Sequence, residues 1–396
     1  MVTAKVETAT DGVARAQAAR AVLEVDLAAL KHNVELIKRI AGAARVMAVV
    51  KGDAYGLGAN VVAPALQSCG VPAFAVDNVA EGIELRNAGI KKPILVIDGD
   101  VPDNAAPAVT HDLMPGIAHE QLLQAYDLAA GYHDRKHPVW LVTNVGFNRS
   151  GYRNLDDFER FARKAQACRH LLVKGVYAHL TNSNSDAEIT LAQVQEFAEK
   201  AGRARQVFGA NLEISLFASH GMIRWSQAFP TDWVRPGLLL YGENNFSEEQ
   251  LGPEVANLFQ QFQPVVSLKA RIIHLLEFTR AEGVGYGQHH QASSNQQLAT
   301  VALGFGGGYP SPPRDAYALV NGQRAAVFGD IGMDALQIDV TGIPGVSLYD
   351  WATLIGSDGA ERISVTSLAR ATQISPYELL RKLKCHRSYI NAESVA

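Results

Sequence analysis

Lys51 is the first residue whose type and position could support chemistry. It directly follows the apolar run 44–50 and opens a glycine-rich turn over 51–58, after which a helix is expected near Ala59. A lysine buried at such a position is costly unless it has a role, and imine formation with a carbonyl cofactor suits a desolvated amine. A solvent-exposed lysine at the start of a loop fits the same position, so both interpretations stay open here.

Two further residues could act on protons or anions, but each also fits an ordinary structural role. Tyr286 lies between two glycines, as a turn tyrosine would, and Arg235 precedes a Pro-Gly pair, as a surface arginine would. Four more residues, taken singly, fit packing or loop geometry: Ser219, Tyr309, Met333 and Tyr377.

The order of short motifs along residues 21–383 is more specific than any one of them. The sequence Lys-Gly-Asp-Ala-Tyr-Gly-Leu-Gly occupies 51–58. It is followed in order by Arg-Ser-Gly at 149–151, His179, Ser219, Arg-Pro-Gly at 235–237, Gly-Tyr-Gly at 285–287, Gly-Tyr-Pro at 308–310, Met-Asp at 333–334 and Tyr377. This ordered set resembles alanine racemases and related fold-type III pyridoxal-phosphate enzymes. The resemblance implies a pyridoxal 5'-phosphate-dependent racemase of a small free amino acid, with alanine as the default substrate.

The resemblance also implies which residues transfer protons. Racemisation removes a proton from one face of the substrate carbanion and returns one to the other face, so two bases are required. Lys51 matches the base on one face and Tyr286 the base on the other. A phenol is a poor base until neighbours stabilise its anion, and the residues matching His179 and Arg235 lie near this tyrosine in relatives. Arg235 matches the residue facing the pyridine nitrogen, which is expected to stay unprotonated because arginine keeps its protons.

The same resemblance assigns the anchoring residues. Lys51 is expected to hold the cofactor covalently. The other residues expected to hold it, mainly its phosphate, are Tyr55, His179, Ser219, Arg235, Tyr377 and the backbone N–H groups of Gly237 and Leu238. Arg149 and the backbone of Met333 are expected to bind the substrate carboxylate, and Tyr309 is expected to line the entrance. Because Tyr286, Tyr309 and Met333 come from the partner subunit in relatives, a homodimer with shared active sites is implied.

One departure from the family pattern affects the expected substrate. The lysine that is often carbamylated in relatives, and that orients the arginine matching Arg149, falls on Val142. Another group must therefore hold Arg149, and Asn144 and Asn148 are candidates. Broad-specificity racemases have a similar Asn-containing version of this segment. A broad-specificity or non-alanine racemase or epimerase of the same fold is therefore the alternative to an alanine-specific enzyme.

The elements that must position these residues follow from the apolar pattern. Eight short apolar runs read as strands buried on both faces: 44–50, 73–76, 93–98, 113–117, 139–143, 171–179, 212–217 and 237–241. Residues 79–88, 155–167 and 187–206 have helical spacing. This alternation predicts an α/β fold with a (β/α)8 TIM-type barrel, whose active site lies at the carboxyl ends of the strands. A doubly wound sheet is the alternative, although no G-x-G-x-x-G motif follows the first strand.

The pattern changes after about residue 261. The segments 264–274, 298–305, 325–328 and 335–341 alternate in a β-like way between glycine- and proline-bearing turns. We therefore expect a barrel over 28–260 and a smaller, mostly β domain over 261–396, which the β-like segment 21–27 is expected to join. Residues 1–20 are expected to form a flexible tail.

Composition narrows the partners. Lys and Arg total 36 against 40 Asp and Glu, a net charge of −4, which argues against nucleic-acid binding because phosphate recognition needs clustered positive charge. The three cysteines match no metal or disulfide spacing. We therefore expect no bound metal ion. No membrane span and no signal peptide are recognised, so we expect a cytoplasmic protein.

Three other functions are disfavoured by the sequence. A barrel-only pyridoxal-phosphate-binding protein is disfavoured by the 130 or so residues after the barrel, with Tyr286 and Met333 among them. A fold-type III decarboxylase is expected to carry a cysteine-based proton donor, and Cys385 lies outside any such motif. The segment 364–383 has a helix-turn-helix pattern, as in DNA-binding modules. It contains Tyr377, which matches a cofactor-phosphate residue of the family, and the chain is acidic, so DNA binding is disfavoured.

Overall fold

The computed structural model describes residues 18–97, 99–133, 135–244, 252–311 and 316–395. The chain divides into two compact units, a barrel unit over Leu30–Gln263 and a second unit containing Pro264–Ser394 and the N-terminal segment up to Ala29. Most of the tail expected over 1–20 lies outside the described residues. No helix among those described is both long and apolar enough to cross a bilayer.

Parallel strands form the core of the barrel unit. After β1 (Ala21–Asp26), which belongs to the second unit, the described residues contain eight strands that close into a barrel: β2 Arg45–Val49, β3 Ala73–Val76, β4 Ile94–Val96, β5 Leu113–Ile117, β6 His137–Val142, β7 Leu171–Tyr177, β8 Glu213–Ala218 and β9 Trp233–Arg235. Strands β3 to β5 are buried at every residue, as expected when both faces of a strand are covered. The predicted α/β barrel is confirmed.

Helices alternate with these strands along the chain. Their bounds are α1 Leu27–Ala41, α2 Ala59–Ser68, α3 Val79–Asn87, α4 Ala105–Thr110, α5 Glu120–Gly131, α6 Leu155–Ala167, α7 Ala187–Phe208, α8 Ser219–Trp225 and α9 Pro253–Phe259. Side chains cap several of them: Asn78 accepts from the Glu81 N–H, and Asp186 accepts from the Ile189 N–H. Such caps satisfy N–H groups that lack a partner in the first turn. The three helices predicted from apolar spacing are present.

The position of the last barrel strand was predicted wrongly. The run 237–241 was expected to be a strand, but Leu238–Tyr241 is a 3-10 helix. The strand is Trp233–Arg235, which pairs with β2 and closes the barrel. Pro236 follows directly and has no N–H to continue the ladder. The run 238–241 is nonetheless fully buried, and a short buried helix has the same apolar signature as a buried strand.

The second unit is built around a mostly antiparallel sheet, as predicted. The further strands of this unit are β10 Val266–Glu277, β11 Glu282–Val284, β12 His290–Ala292, β13 Gln297–Val301, β14 Tyr317–Val320, β15 Gln323–Phe328, β16 Leu336–Asp339, β17 Trp351–Asp358, β18 Glu361–Ile363 and β19 His386–Ile390. Strands β11 and β12 pair with each other in a separate small sheet. Two helices, α10 (Val365–Ala371) and α11 (Pro376–Lys382), precede β19. Strand β1 pairs antiparallel with β10 and parallel with β19.

Candidate active site

Lys51 lies just beyond the carboxyl end of β2. Its Nζ is 3.2 Å from the Asp77 Oδ1, and Asp77 follows the end of the neighbouring strand β3. Both side chains are partly exposed, so screening by water weakens the ion pair. The contact places the amine at the barrel edge where active sites of this fold are built.

The turn that follows Lys51 is left-handed. Gly52, Asp53, Ala54 and Tyr55 have φ between 53° and 64°, a conformation that costs roughly 1–2 kcal/mol for each residue with a Cβ. The Glu81 carboxylate compensates by accepting from the N–H groups of Gly52 (2.8 Å) and Asp77 (3.0 Å). The turn therefore fixes the spacing between Lys51 and Tyr55.

Three residues expected to bind a phosphate come together beside this turn. The Gly237 N–H donates to the Ser219 Oγ at 3.0 Å, and Ser219 is buried. A Cβ built on Gly237 would overlap the Tyr55 hydroxyl. Two hydroxyls and a backbone N–H that a side chain would cover suit a phosphate group, so these residues fit the cofactor that the sequence implies. We call Tyr55, Ser219 and Gly237 the hydroxyl cradle; the fourth expected residue, Leu238, is fully buried next to it.

Arg235 is held firmly at the end of β9. Its guanidinium donates to the Ser215 Oγ and to the Ala178 carbonyl, the latter at 2.6 Å. It also lies over the Tyr177 ring at 5.1 Å, and the residue is 4% exposed. A buried guanidinium with several acceptors keeps its charge and its orientation.

Arg149 and His179 face a small pocket at the same end of the barrel. The pocket is lined by Ile97, Val142, Thr143, Asn144, Phe147, Arg149, Ser150, Tyr177 and His179. The Arg149 guanidinium lies 4.4 Å from the centre of the Phe147 ring. That ring meets the His179 ring edge-on at 5.1 Å. Val142 contributes an apolar wall.

The two asparagines expected to hold Arg149 bond other groups of the same loop. The Asn144 Oδ1 accepts from the N–H groups of Gly146 (2.9 Å) and Asn148 (3.1 Å). The Asn148 Oδ1 accepts from the Arg153 Nη1 at 2.8 Å. Asn144 therefore shapes the backbone of the loop that carries Arg149.

The remaining predicted residues lie in the second unit. Tyr286 starts a 3-10 turn between two glycines of positive φ and is 83% exposed. Met333 is 60% exposed, and its carbonyl accepts from the Gly306 N–H at 2.8 Å. Tyr309 is 1% exposed, and its hydroxyl has no hydrogen-bond partner within the described residues. Tyr377 lies on α11, where burial raises the pKa of its phenol to about 12.

Sequence reasoning missed three residues that hold the site through tertiary contacts. Asp77, Glu81 and Lys200 contact the lysine turn or the arginine loop, yet none belongs to a recognised motif. Lys200 had a detectable signal, since it lies three residues after Phe197 and four before Ala204 on the buried face of α7. In the described ranges, no group of three or more His, Cys, Asp or Glu is arranged to hold a metal ion.

Comparisons with known proteins agree with this geometry. The alanine racemase N-terminal domain profile matches residues 25–245, and the alanine racemase C-terminal domain profile matches residues 265–389. An alanine racemase of Xanthomonas oryzae pv. oryzae is 35% identical over 375 residues, covering 94% of this chain and 96% of its own length.

Solved structures of the same family share the fold. The biosynthetic alanine racemase of Pseudomonas aeruginosa is 29% identical with a TM-score of 0.81, covering 94% of this chain and 99% of its own. The Bartonella henselae alanine racemase with covalently bound pyridoxal phosphate has a TM-score of 0.82 at 22% identity, covering 94% and 100%. With both domain profiles matched in order, and with relatives aligned over nearly their full lengths, this chain belongs to the alanine racemase family and is an isomerase of the racemase type.

Proposed function

We propose that this protein is a pyridoxal 5'-phosphate-dependent amino-acid racemase in which Lys51 and Tyr286 are the two proton-transfer bases. The observation that carries the proposal is that Lys51 lies at the barrel edge beside the hydroxyl cradle. Lys51 and Tyr55 belong to one left-handed turn, and Ser219 and Gly237 lie next to that turn. The alanine racemase family is pyridoxal-phosphate-dependent, and the Bartonella henselae relative holds this cofactor covalently.

The cofactor, when bound, supplies the conjugated system that stabilises negative charge at the substrate α-carbon. The protein residues have separate tasks around it. The Lys51 Nζ holds or accepts the α-proton on one face, and the Tyr286 hydroxyl does so on the other. Tyr55, Ser219, Gly237, Leu238 and Tyr377 would bind the phosphate, and His179 would contact the cofactor as well. Arg235, fixed by the Ser215 Oγ and the Ala178 carbonyl, keeps its protons and would face the ring nitrogen as a donor.

Substrate binding depends on the pocket beside Arg149. We propose that Arg149 and the backbone of Met333 bind the substrate carboxylate, with Tyr309 at the entrance. Alanine is the default substrate because the curated relatives are alanine racemases. The second candidate is a broader or different amino-acid specificity, which the apolar Val142 in the pocket wall favours. Space and polarity beside the carboxylate site differ from those of a racemase with a carbamylated lysine there.

One experiment tests reaction and substrate together. The purified protein, loaded with pyridoxal 5'-phosphate, is incubated with a panel of single L-amino acids in deuterated water, and both α-proton exchange and D-enantiomer formation are measured. We expect exchange and racemisation with alanine or another small amino acid, and neither with Lys51→Ala. A wild-type protein that takes up no cofactor, or that exchanges no α-proton with any amino acid, would overturn the proposal.

A further inference from the structure

Lys200 is a charged side chain that the proposed reaction does not use. It lies on α7 and is 1% exposed, on the face that also buries Phe197 and Ala204. Burying an ammonium group is costly unless it is paired and hydrogen-bonded. A charged residue on this buried, mostly apolar helix face therefore needs partners that satisfy its three N–H donors.

The partners of Lys200 are the two ends of the loop that carries Arg149. Its Nζ donates to the carbonyl of Asn144, where the loop begins, and to the carbonyl of Arg153, where it ends. A longer contact of 3.4 Å reaches the Tyr152 carbonyl, and the Glu196 carboxylate lies at 2.7 Å. One ammonium group thus joins both ends of the loop and is itself neutralised by Glu196.

A second side chain of α7 supports the same loop from below. Gln193 is 6% exposed, and its Oε1 accepts from the Thr181 N–H at 3.1 Å. A Cβ on Gly146 would lie 2.7 Å from the Gln193 Nε2. The loop backbone therefore rests directly on α7, with Gln193 under its first half and Lys200 between its ends.

We propose that Lys200 is a positioning residue that holds the loop 144–153, and through it Arg149, in the orientation that binds the substrate carboxylate. The inference rests on the proposed function, because it assigns Arg149 to the substrate. Val142 offers no polar atom to orient this arginine, so the fixed geometry of the loop takes over that task. Lys200 acts on the backbone from α7 and contacts neither substrate nor cofactor.

The test compares Lys200→Met with Lys38→Met in the cofactor-loaded enzyme. Lys38 is the matched control, because its Nζ also bonds a backbone carbonyl, that of Cys69, and a glutamate on its own helix. We expect Lys200→Met to raise KM at least about tenfold with a smaller change in kcat, since a displaced binding group costs about 10²-fold or less. Lys38→Met is expected to leave both constants within about twofold.

Two additional variants separate positioning from general destabilisation. In an Arg149→Lys background, Lys200→Met should change kcat/KM by less than about twofold, because two residues acting through one contact are not additive. Glu196→Gln, at a half-exposed position, keeps the fold and should raise KM in the same direction by a smaller factor. Additive effects of Lys200→Met and Arg149→Lys, or equal effects of Lys200→Met and Lys38→Met, would overturn the proposal.

Limited trypsin digestion provides a readout that does not depend on catalysis. Arg149 and Arg153 are exposed, so the rate of cleavage after them depends on how often the loop backbone opens. Without the Lys200 contacts the loop should open more often, and Lys200→Met is expected to be cut there at least about tenfold faster than wild type or Lys38→Met. Unchanged cleavage at both bonds would show that Lys200 does not hold the loop. A wild-type enzyme without racemase activity would instead refute the proposed function, and the digestion would still show whether Lys200 holds the loop.

Discussion

Tyr286 is a highly exposed residue in a glycine-flanked turn. It lies between Gly285 and Gly287, both with positive φ, and its side chain is 83% exposed. Removing only its hydroxyl, in Tyr286→Phe, should leave cofactor binding intact, because Lys51 and the hydroxyl cradle are unchanged. Racemisation from at least one enantiomer should fall by about 10²–10⁴-fold, the usual contribution of a general acid or base.

The measurement for Tyr286→Phe is α-proton exchange in deuterated water, started separately from the L- and the D-enantiomer. Lys51 remains available on its own face, so exchange from one enantiomer is expected to persist while enantiomer formation is lost. Wild-type rates in both directions would identify another residue as the second base.

Gly237 is the position where a single methyl group should block the cofactor. Its Cβ would overlap the Tyr55 hydroxyl, and overpacking of this kind costs about 1–3 kcal/mol. Gly237→Ala should therefore weaken pyridoxal 5'-phosphate binding by at least about tenfold, measured by titrating the visible absorbance of the bound cofactor.

Gly202→Ala is the matched control for that substitution. Gly202 lies within α7 with no atom within 4 Å of an added Cβ. Alanine there should leave cofactor affinity unchanged and stabilise the helix by about 0.5–1 kcal/mol. If both variants bind the cofactor like wild type, the Gly237 backbone is not part of the phosphate site.

At the scale of elements, helices α3 and α10 end in the same way with different residues. At the end of α3, the backbone N–H of Gly89 donates to the Arg86 carbonyl and that of Ile90 to the Leu85 carbonyl. At the end of α10, the N–H of Gln373 donates to the Arg370 carbonyl and that of Ile374 to the Ala369 carbonyl. This is the Schellman arrangement, in which the first donor of each pair is left-handed. Gly89 has φ 88°, and Gln373 has φ 57°. The left-handed position therefore carries strain in α10 and none in α3.

Opposite substitutions at these two helix ends should have opposite effects. Gln373→Gly should raise the free energy of unfolding by up to about 1 kcal/mol, because it relieves the strain at an exposed position. Gly89→Ala, with open space around its Cβ, should lower it by about 1 kcal/mol. Urea-induced unfolding measures both, and a change of the same sign in the two variants would contradict the cap argument.

Elements differ in how much of them the sequence predicts. The barrel strands β3 to β5 were recognisable because burial on both faces leaves an unbroken apolar run. The run 238–241 has the same signature and is a 3-10 helix, because apolar pattern records burial and not backbone conformation. In the second unit, β17 was missed, since Gly356 and Ser357 interrupt its apolar pattern.

The site was predictable where a residue belongs to an ordered motif and much less where it acts through tertiary contacts. Lys51 could be placed at a strand end from the pattern alone. The handedness of the turn after it could not, because glycine content indicates a turn but not four consecutive left-handed residues. Glu81 and Lys200 bond backbone groups far away in the chain, so no local spacing reveals their role.

At the scale of the whole molecule, a buried histidine should make stability depend on pH. His137, the first residue of β6, is fully buried, and its Nε2 bonds the Leu113 carbonyl at 2.8 Å. Burial lowers the pKa of His137 below its ordinary 6.5, and nearby Arg135 acts in the same direction. As pH falls below 6.5, the unfolded chain binds this proton first, so the free energy of unfolding decreases until the lower pKa of the folded state is reached.

Urea unfolding measured from pH 7.5 to pH 5 should therefore show a loss of stability that is smaller in His137→Gln. The control is His289→Gln, an exposed histidine of the second unit, whose substitution should leave the pH dependence as in wild type. Parallel curves for wild type and His137→Gln would exclude His137 as the source of the dependence.

Assembly of the molecule can be tested through the two proposed bases. Tyr286, Met333 and Phe305 are 83%, 60% and 51% exposed in the single chain, so they are accessible to a second copy. We expect a homodimer of two-fold symmetry in which Tyr286 of one copy completes the active site that contains Lys51 of the other.

Lys51→Ala and Tyr286→Phe should each be inactive as homodimers. A mixed dimer, co-expressed with two different tags and purified through both, then has one site with both substitutions and one intact site, so it should recover about half of the wild-type kcat per dimer. A mixed dimer as inactive as its parents would mean that both bases come from the same copy, and a monomeric wild type in analytical ultracentrifugation would rule out sharing altogether.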